Sequence, residues 1–419
     1  MASQVFDRSS RHPFPWAFVL GFTLLLVARD ALAAGSYERD LAIYDRVLAQ
    51  AKPDEKWIRF GDVGITTERL RELRQQLIDP NFVTPGGTGF KWPGGNVYYR
   101  FNPAQVSSGT ITAGKMQQFR DSIAEWAGSA NLTFVESIAG QPNYITVRED
   151  ANLGGGFSSA VGMAGGEQFV DFGPSAWNRG TVCHEVGHAL GLWHEHQRTD
   201  RDTYVIINLS NIPAASQPNF AIIPGSANHN AYDFLSVMHY ERNALAINPS
   251  IDTISMQPAY AQFANIIGRV YYRTLSKLDR KGIAEVYGDS SPLPGAVVSN
   301  TKESGRGSLR NAIYYAFDRS TDMPPVATTV AFNIPLADPG FAGGVFTIKP
   351  TYQMVAPGAG TTIDGATQTN FTGDTNASGP EIVLDGSQVV AQNLSLFAPG
   401  FVLVEPNCTI RNLVINGFN

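Results

Sequence analysis

"HEVGHALGLWHEHQR", from His184 to Arg198, holds four of the seven histidines of a 419-residue chain, together with two glutamates. On a helix, residues four apart share a face, so His184 and His188 can present two imidazoles to one ion with Glu185 beside them. Gly191 lets the chain leave the helix through a conformation that side chains disfavour, and this brings His194 round as a third ligand. Three protein nitrogens leave a coordination position for water, the arrangement of a catalytic zinc site and not of a structural one. Glu185 is then placed to take the proton of that water. His196, two residues past His194, points elsewhere and reads as a surface or supporting residue outside the site. Cys183, just before His184, reads as a small buried hydrophobe.

On the N-terminal side, "GGEQFVDFG" (Gly165 to Gly173) reads as a strand. It is either an edge against which an extended substrate pairs or a plain core strand. Before it, "NVYYRFN", "NLTFVES" and "NYITVRED" read as strands, and Met116, Phe119, Ile123 and Trp126 have helical spacing, which makes an α/β layer. Further upstream, "SYERDLAIYDRVLAQAKP" and "TTERLRELRQQLIDP" read as two amphipathic helices joined by the non-helical link "RFGDVG" (Arg59 to Gly64). At the start, Arg8 and Arg11 precede an apolar run from Trp16 to Ala28, followed by the small residues of "ALAA". That is a secretory signal cut after Ala33, too short to span a bilayer, so an exported chain with no membrane span after signal removal is expected.

On the C-terminal side, "LSKLDRKGIAEVYG" carries a capping box, Ser276 with Asp279, and a stop at Gly288. Beyond "SSPLPG" the texture changes to Gly, Thr, Asn and short β-branched runs. "VFTIKP", "TTIDG", "EIVLDG", "FVLVE" and "NLVING" recur at roughly regular intervals, often closed by Asp-Gly or Asn-Gly, as rungs of a β-solenoid do. A solenoid needs more rungs and a cap, so the sequence reads as truncated at Asn419. Asp364 and Asp385 sit in turn dipeptides and are explained by turn chemistry.

Hydrophobic residues at 43%, charged residues at 16% and a net charge of -6 describe a mildly acidic globular protein, with no basic field for nucleic acid. Only two cysteines are present, Cys183 and Cys408, so stability rests on packed cores.

The stretch "HEVGHALGLWHEHQRTDRDTYVIINLSNI" (His184 to Ile212) and "YDFLSVMHY" (Tyr232 to Tyr240) resemble the zinc signature and Met-turn of the astacin metalloproteases, a family of metzincins. The likeness runs from about Trp92 to Gly288. It implies an α+β metzincin-like protease domain, a mixed twisted sheet plus an active-site helix, that cleaves protein or peptide substrates. By the same resemblance His184, His188 and His194 bind Zn2+, Tyr240 is an additional, displaceable ligand, and Met238 forms the hydrophobic floor. Glu195 corresponds to the family's partner for the N-terminus exposed on activation. Astacin zymogens carry an aspartate in a Phe-x-Gly-Asp phrase that occupies the zinc position later taken by water; Phe60, Gly61 and Asp62 are similar, with one residue missing. Animal members carry two disulfides for which this sequence has no cysteines, so the resemblance is to the bacterial end of the family. "GSLRNAI" and "LVINGF" resemble the start of right-handed parallel β-helix proteins of bacterial surfaces.

The expected organisation is a signal peptide over 1–33, a propeptide over 34–85, the zinc protease over 86–290 and a partial β-helix, all-β, over 291–419. The expected function is a secreted zinc endopeptidase made as a zymogen. The alternative is an adhesive or carbohydrate-binding surface protein, with glycan contact through the β-helix and an accessory protease. Every proposed catalytic residue precedes Gly288, so the sequence predicts that short-peptide hydrolysis survives loss of everything after it.

Overall fold

The computed structural model describes residues 37–52, 57–79, 91–268, 275–288, 296–320, 324–351, 353–389 and 399–418. The signal sequence, the boundary stretch over 80–90 and "SSPLPG" lie outside them.

The chain enters through helix α1 (residues 37–50) and a hairpin of β1 (Trp57–Phe60) and β2 (Val63–Thr66). Helix α2 (Thr67–Ile78) follows, with Thr66 as its N-cap. The link "RFGDVG" is thus the tip of a hairpin. Gly61 occupies the turn at φ +77, and a Cβ there would lie 2.4 Å from Asn219 Oδ1, so only glycine fits on both counts. Ile43 and Tyr44 of α1 pack with Phe60, Leu70, Leu73 and Leu77, and against Ala221 and Ile223 of the main body.

That body is built on strands β3 (Asn96–Phe101), β4 (Thr133–Val135), β5 (Tyr144–Glu149), β6 (Gly156–Ser158) and β7 (Glu167–Phe172). With the hairpin they form a mixed seven-stranded sheet in the order β1-β2-β6-β7-β5-β3-β4. β3, β4, β5 and β7 run parallel to one another, and β6 runs antiparallel to β7. The short helix α3 (Pro103–Ser107) leads into α4 (Ala113–Ser129). α4 and the fully buried α5 (Arg179–Ala189) pack on the sheet. Their shared core includes Phe119, Ile123, Trp126, Val147, Val170, Val182 and Val186. Trp126 Nε1 donates to the Cys183 carbonyl at 3.1 Å and locks the two helices together. Cys183 is fully buried and unbridged, as a core residue.

"GGEQFVDFG" is not the edge: β7 lies between β6 and β5. The Gly-rich stretch before Phe157 folds back as β6 and takes the outer position. Beyond it, Val63 of β2 pairs in parallel with Ser158, whose amide donates to the Asp62 carbonyl at 3.1 Å. The edge of the body is therefore covered by the chain's own N-terminal hairpin, and the hydrogen-bonding groups of a sheet edge are what an extended peptide would use.

A two-stranded ribbon, β8 (Val205–Ile207) with β9 (Ile254–Met256), follows the histidine stretch. Helix α6 (Lys277–Tyr287) carries the expected capping box of Ser276 and Asp279. The last unit begins with β10 (Val297–Val298) and α7 (Leu309–Ser320), into which "GSLRNAI" falls. β11 (Thr329–Phe332), β12 (Phe341–Ala342), β13 (Val345–Ile348), β14 (Thr362–Asp364), helix α8 (Ala366–Thr372), β15 (Ile382–Asp385), β16 (Thr409–Arg411) and β17 (Val414–Asn416) follow. These strands make two four-stranded sheets, β10-β11-β14-β16 and β12-β13-β15-β17. All neighbours pair in parallel except β12 with β13. Their alternate side chains, among them Phe332, Phe346, Ile363, Ile382 and Leu384, share one core. The phrase "FVLVE" forms no strand. Val402, Leu403 and Val404 are exposed there, so its apolar run finds no core face to bury.

Candidate metal centre

Asn178 caps α5 by accepting from the Thr181 amide, and the helix presents His184 and His188 from the same face. Their rings lie 4.8 Å apart. Gly191 takes φ +109, a backbone that side chains rarely adopt, and the chain turns so that His194 comes within 4.7 Å of His188, ring to ring. One nitrogen from each of the three imidazoles and one oxygen of Asp62 all fall within 4.8 Å of one another, a cluster that could hold a metal ion.

The second nitrogens determine what faces that point. His184 Nδ1 lies 2.7 Å from the Val237 carbonyl, His188 Nδ1 2.7 Å from the Leu192 carbonyl and His194 Nδ1 2.6 Å from Gln197 Oε1. Carbonyl oxygens only accept, so each Nδ1 carries a proton and each Nε2 is the nitrogen that faces the centre, able to bind a metal through its lone pair or, when protonated, to face the Asp62 carboxylate. His188 Nε2, Glu185 Oε2 and Asp62 Oδ1 are buried there without a hydrogen-bond partner. Three imidazole nitrogens converging on one point, beside buried acceptors without partners, suit a zinc ion.

Glu185 is 3% exposed. Burial, opposed by His184, raises its carboxyl well above the usual range, so it can hold a proton. A Cβ on Gly156 of the edge strand would lie 2.3 Å from the Glu185 carboxylate, so glycine there makes the room the carboxylate occupies. Tyr240 turns its hydroxyl into the same cavity of about 630 Å³, which Asp62, His184, Glu185 and Asn219 also line. The hydroxyl lies 2.5 Å from Asp62 Oδ2 and 2.8 Å from Asn219 Oδ1, two acceptors sharing one proton. Burial and the neighbouring Asp62 raise the phenol well above its ordinary value, so it stays a donor.

Asp62, at the hairpin tip, points between the histidines. Its Oδ2 is 3.0 Å from His194 Nε2 and 3.7 Å from His184 Nε2, and its Oδ1 is 3.9 Å from His188 Nε2. Burial alone would raise this carboxyl. The imidazoles around it, His194 foremost, hold it well below the usual carboxylate range.

Beneath the centre lies Met238, 2% exposed. Its carbonyl accepts the Glu195 amide at 3.0 Å, tying the turn after His194 to the turn that carries Tyr240. Asp279 secures that second turn by accepting from Ser236 Oγ at 2.6 Å and from the Val237 amide at 2.8 Å. Glu195 itself accepts from Arg198 and from the Asp233 amide. Burial, opposed by Arg198, pushes its carboxyl up to about 8. Of the two readings for His196 the structure bears out the supporting one: it is fully buried beside His194, with Nε2 3.0 Å from the Asn219 carbonyl and Nδ1 accepting from the Tyr240 amide. Asn219 and Gly156 went unrecognised in the sequence. Asn219 lies in no motif, and Gly156 is marked only by the run of three glycines that it ends.

Residues 88–288 match the family model described as Astacin, a peptidase family. Tolloid-like protein 1 of Homo sapiens is 35% identical over 167 residues, 39% of this chain and 16% of the human protein. The zinc metalloproteinase nas-32 of Caenorhabditis elegans is 34% identical over 165 residues, 39% of this chain and 23% of that protein. The chain thus spans less than a quarter of the length of either. Among solved structures, high choriolytic enzyme 1, a hatching-enzyme zinc protease from Oryzias latipes, is 27% identical, covers 50% of this chain and 98% of its own, and has a TM-score of 0.42.

Proposed function

Residues 88–288 form a domain of the astacin peptidase family, and from that premise we propose that the chain is a secreted zinc endopeptidase, made as a zymogen, that hydrolyses bonds within protein or peptide substrates. The observation that carries this reading is the convergence of His184, His188 and His194, each with Nδ1 bonded outward, on one buried point beside Glu185. The three imidazoles would hold a zinc ion, which when bound would supply Lewis acidity to a carbonyl and bring the pKa of water towards neutrality. Glu185 takes the proton of the attacking water and delivers it to the leaving amine nitrogen. The Tyr240 hydroxyl, released from Asp62, donates to the scissile carbonyl oxygen as that oxygen gains charge. Met238 closes the apolar floor, and β6 offers its backbone edge to the substrate.

In the precursor that edge and that point are both taken, by β2 and by Asp62. A second anchor supports the zymogen reading. Asp40 of α1 pairs with Arg201 at 3.0 Å, with the two side chains 1% and 0% exposed, and Tyr44 Oη donates to the Ile222 carbonyl at 2.9 Å. Activation then cuts the chain within 80–90 and frees an N-terminus for which Glu195 is the partner. The C-terminal unit we read as the first turns of a parallel β-helix. Its parallel pairing and shared core support that reading, and a surface or glycan contact would use its outer faces. Export rests on the N-terminal sequence, and no helix of the described residues is long and apolar enough to cross a membrane. The absence of any disulfide partner for Cys183 favours a bacterial relative over an animal one.

The test is metal content and peptide cleavage by the processed chain. One zinc per chain, with cleavage inside a peptide library lost on chelation and restored by zinc, is expected. A processed, zinc-loaded chain that cleaves no peptide refutes the proposal.

A further inference from the structure

The astacin-family segment ends at Gly288, yet α5 is gripped from beyond it. Arg179, the first residue of α5, is 4% exposed. One of its guanidinium nitrogens lies 3.0 Å from Glu125 Oε1 on α4, and the other 2.9 Å from Glu303 Oε1 in the C-terminal unit. Glu303 is in turn held by Arg310 at 2.7 Å and by the Thr351 amide at 3.1 Å. Arg310 also donates to the Gln353 carbonyl at 2.9 Å. The result is a balanced set of two arginines and two carboxylates, each side chain at most 7% exposed.

A guanidinium at the first residue of a helix sits at the positive pole of the helix dipole, and this one is also buried. Without Glu303 the two arginines share one paired carboxylate, Glu125. With Glu303 a carboxylate lies between both guanidinium groups. The two units touch along the same seam: Ser304 Oγ donates to the Asp121 carbonyl at 2.6 Å, and a Cβ on Gly128 would lie 3.3 Å from the backbone of Gly305 and Arg306. Arg280 of α6 pairs with Asp318 of α7 at 2.6 Å. The C-terminal unit is therefore docked on the protease body through buried charge.

We infer that Glu303 is a positioning residue for the catalytic helix: it completes the charge set that fixes Arg179, and so holds the stretch from Arg179 to His188 that carries two of the three metal-binding imidazoles and Glu185. The inference rests on the peptidase reading for its kinetic part only. His184 lies five residues from Arg179, about 7.5 Å along the helix at the usual rise, so a shift of the helix start is passed on to the site. Displacements near 1 Å lower turnover steeply, by about a hundredfold in unfavourable cases.

The experiment compares wild type, Glu303→Gln and Glu303→Ala in the full chain. It measures the rate of zinc transfer to an excess of chelator, and kcat and KM for a short peptide after processing. Both variants are expected to lose zinc about tenfold faster, and to lower kcat by about tenfold with KM within about twofold, because the substrate edge of β6 is untouched. Folded variants that match wild type in zinc release and kcat overturn the inference. A wild type that holds zinc but cleaves nothing refutes the peptidase reading and leaves the zinc-release comparison to decide this one. If neither variant folds, hydrogen exchange on the wild-type chain decides: amides of 179–189 and 304–316 that open together uphold the coupling, and amides that open independently overturn it.

Discussion

On the proposed zymogen reading, Asp62 and Tyr240 carry the difference between precursor and enzyme in two side chains. The carboxylate lies among the imidazoles and accepts from the phenol, and under that proposal one residue both blocks the centre and holds back the group meant for the substrate carbonyl. Asp62→Ala is expected to make the unprocessed chain cleave a short peptide, or cut itself within 80–90, while the wild-type precursor stays latent. A folded, zinc-loaded variant as latent as wild type would move the block to the hairpin and helices around it. Tyr240→Phe in the processed chain is expected to lower kcat by about a hundredfold and KM little, because its donor acts on charge that develops late; a change confined to KM argues for a binding role. At this scale the three histidines and Glu185 were legible because helical period and Gly191 dictate where they point. Asn219 and His196 were not, because their roles come from packing between segments that no local spacing encodes. Asp62 was legible only through a family resemblance, and the hairpin that delivers it looked like a plain link.

Among the elements, the strands and helices of the body followed from alternation and helical spacing, but the position of a strand within the sheet did not. β7 read as a possible edge; β6, only three residues long, is the outer strand instead, and β2 covers it. Such short strands carry too few residues for a periodic signal. The Asp40–Arg201 pair anchors α1 far from the metal centre in sequence. Asp40→Asn, which leaves the buried guanidinium facing an amide, is expected to speed hydrogen exchange of the amides in 37–50 by about tenfold; unchanged protection would mean that the apolar face of α1 suffices. On α4, burial foremost pushes the Asp121 carboxyl up to about 6 from its ordinary 3.8. Ionising it is therefore harder in the folded chain than in the unfolded one, so folding is most favoured below 3.8 and loses ground as pH rises through about 6. Asp121→Asn is expected to raise the unfolding temperature relative to wild type at about pH 8 and not at about pH 4. An equal effect at both pH values would exclude that ionisation as the cause.

For the whole molecule, the texture change near residue 290 marks where the sheets change from mixed to mostly parallel, but it suggested an independent passenger. The buried set of Arg179, Glu125, Glu303 and Arg310 makes the C-terminal unit a structural partner of α5. Charges so far apart along the chain meet only in three dimensions, so no sequence pattern could have paired them. Truncation after Gly288 is accordingly expected to lower the unfolding temperature and to slow short-peptide hydrolysis, contrary to the sequence expectation; a truncated chain as stable and active as the full one would restore the independence of the two units. The claim on which all of this depends is that Glu185 performs the proton transfers of a zinc peptidase. The most direct measurement is a peptide-library digest by the processed chain beside Glu185→Gln, with zinc quantified in both. Equal zinc, internal cleavage by the wild type, and turnover in the variant lower by about a hundredfold or more are expected; a zinc-loaded Glu185→Gln chain that cleaves as fast as wild type would take the proton transfers away from Glu185.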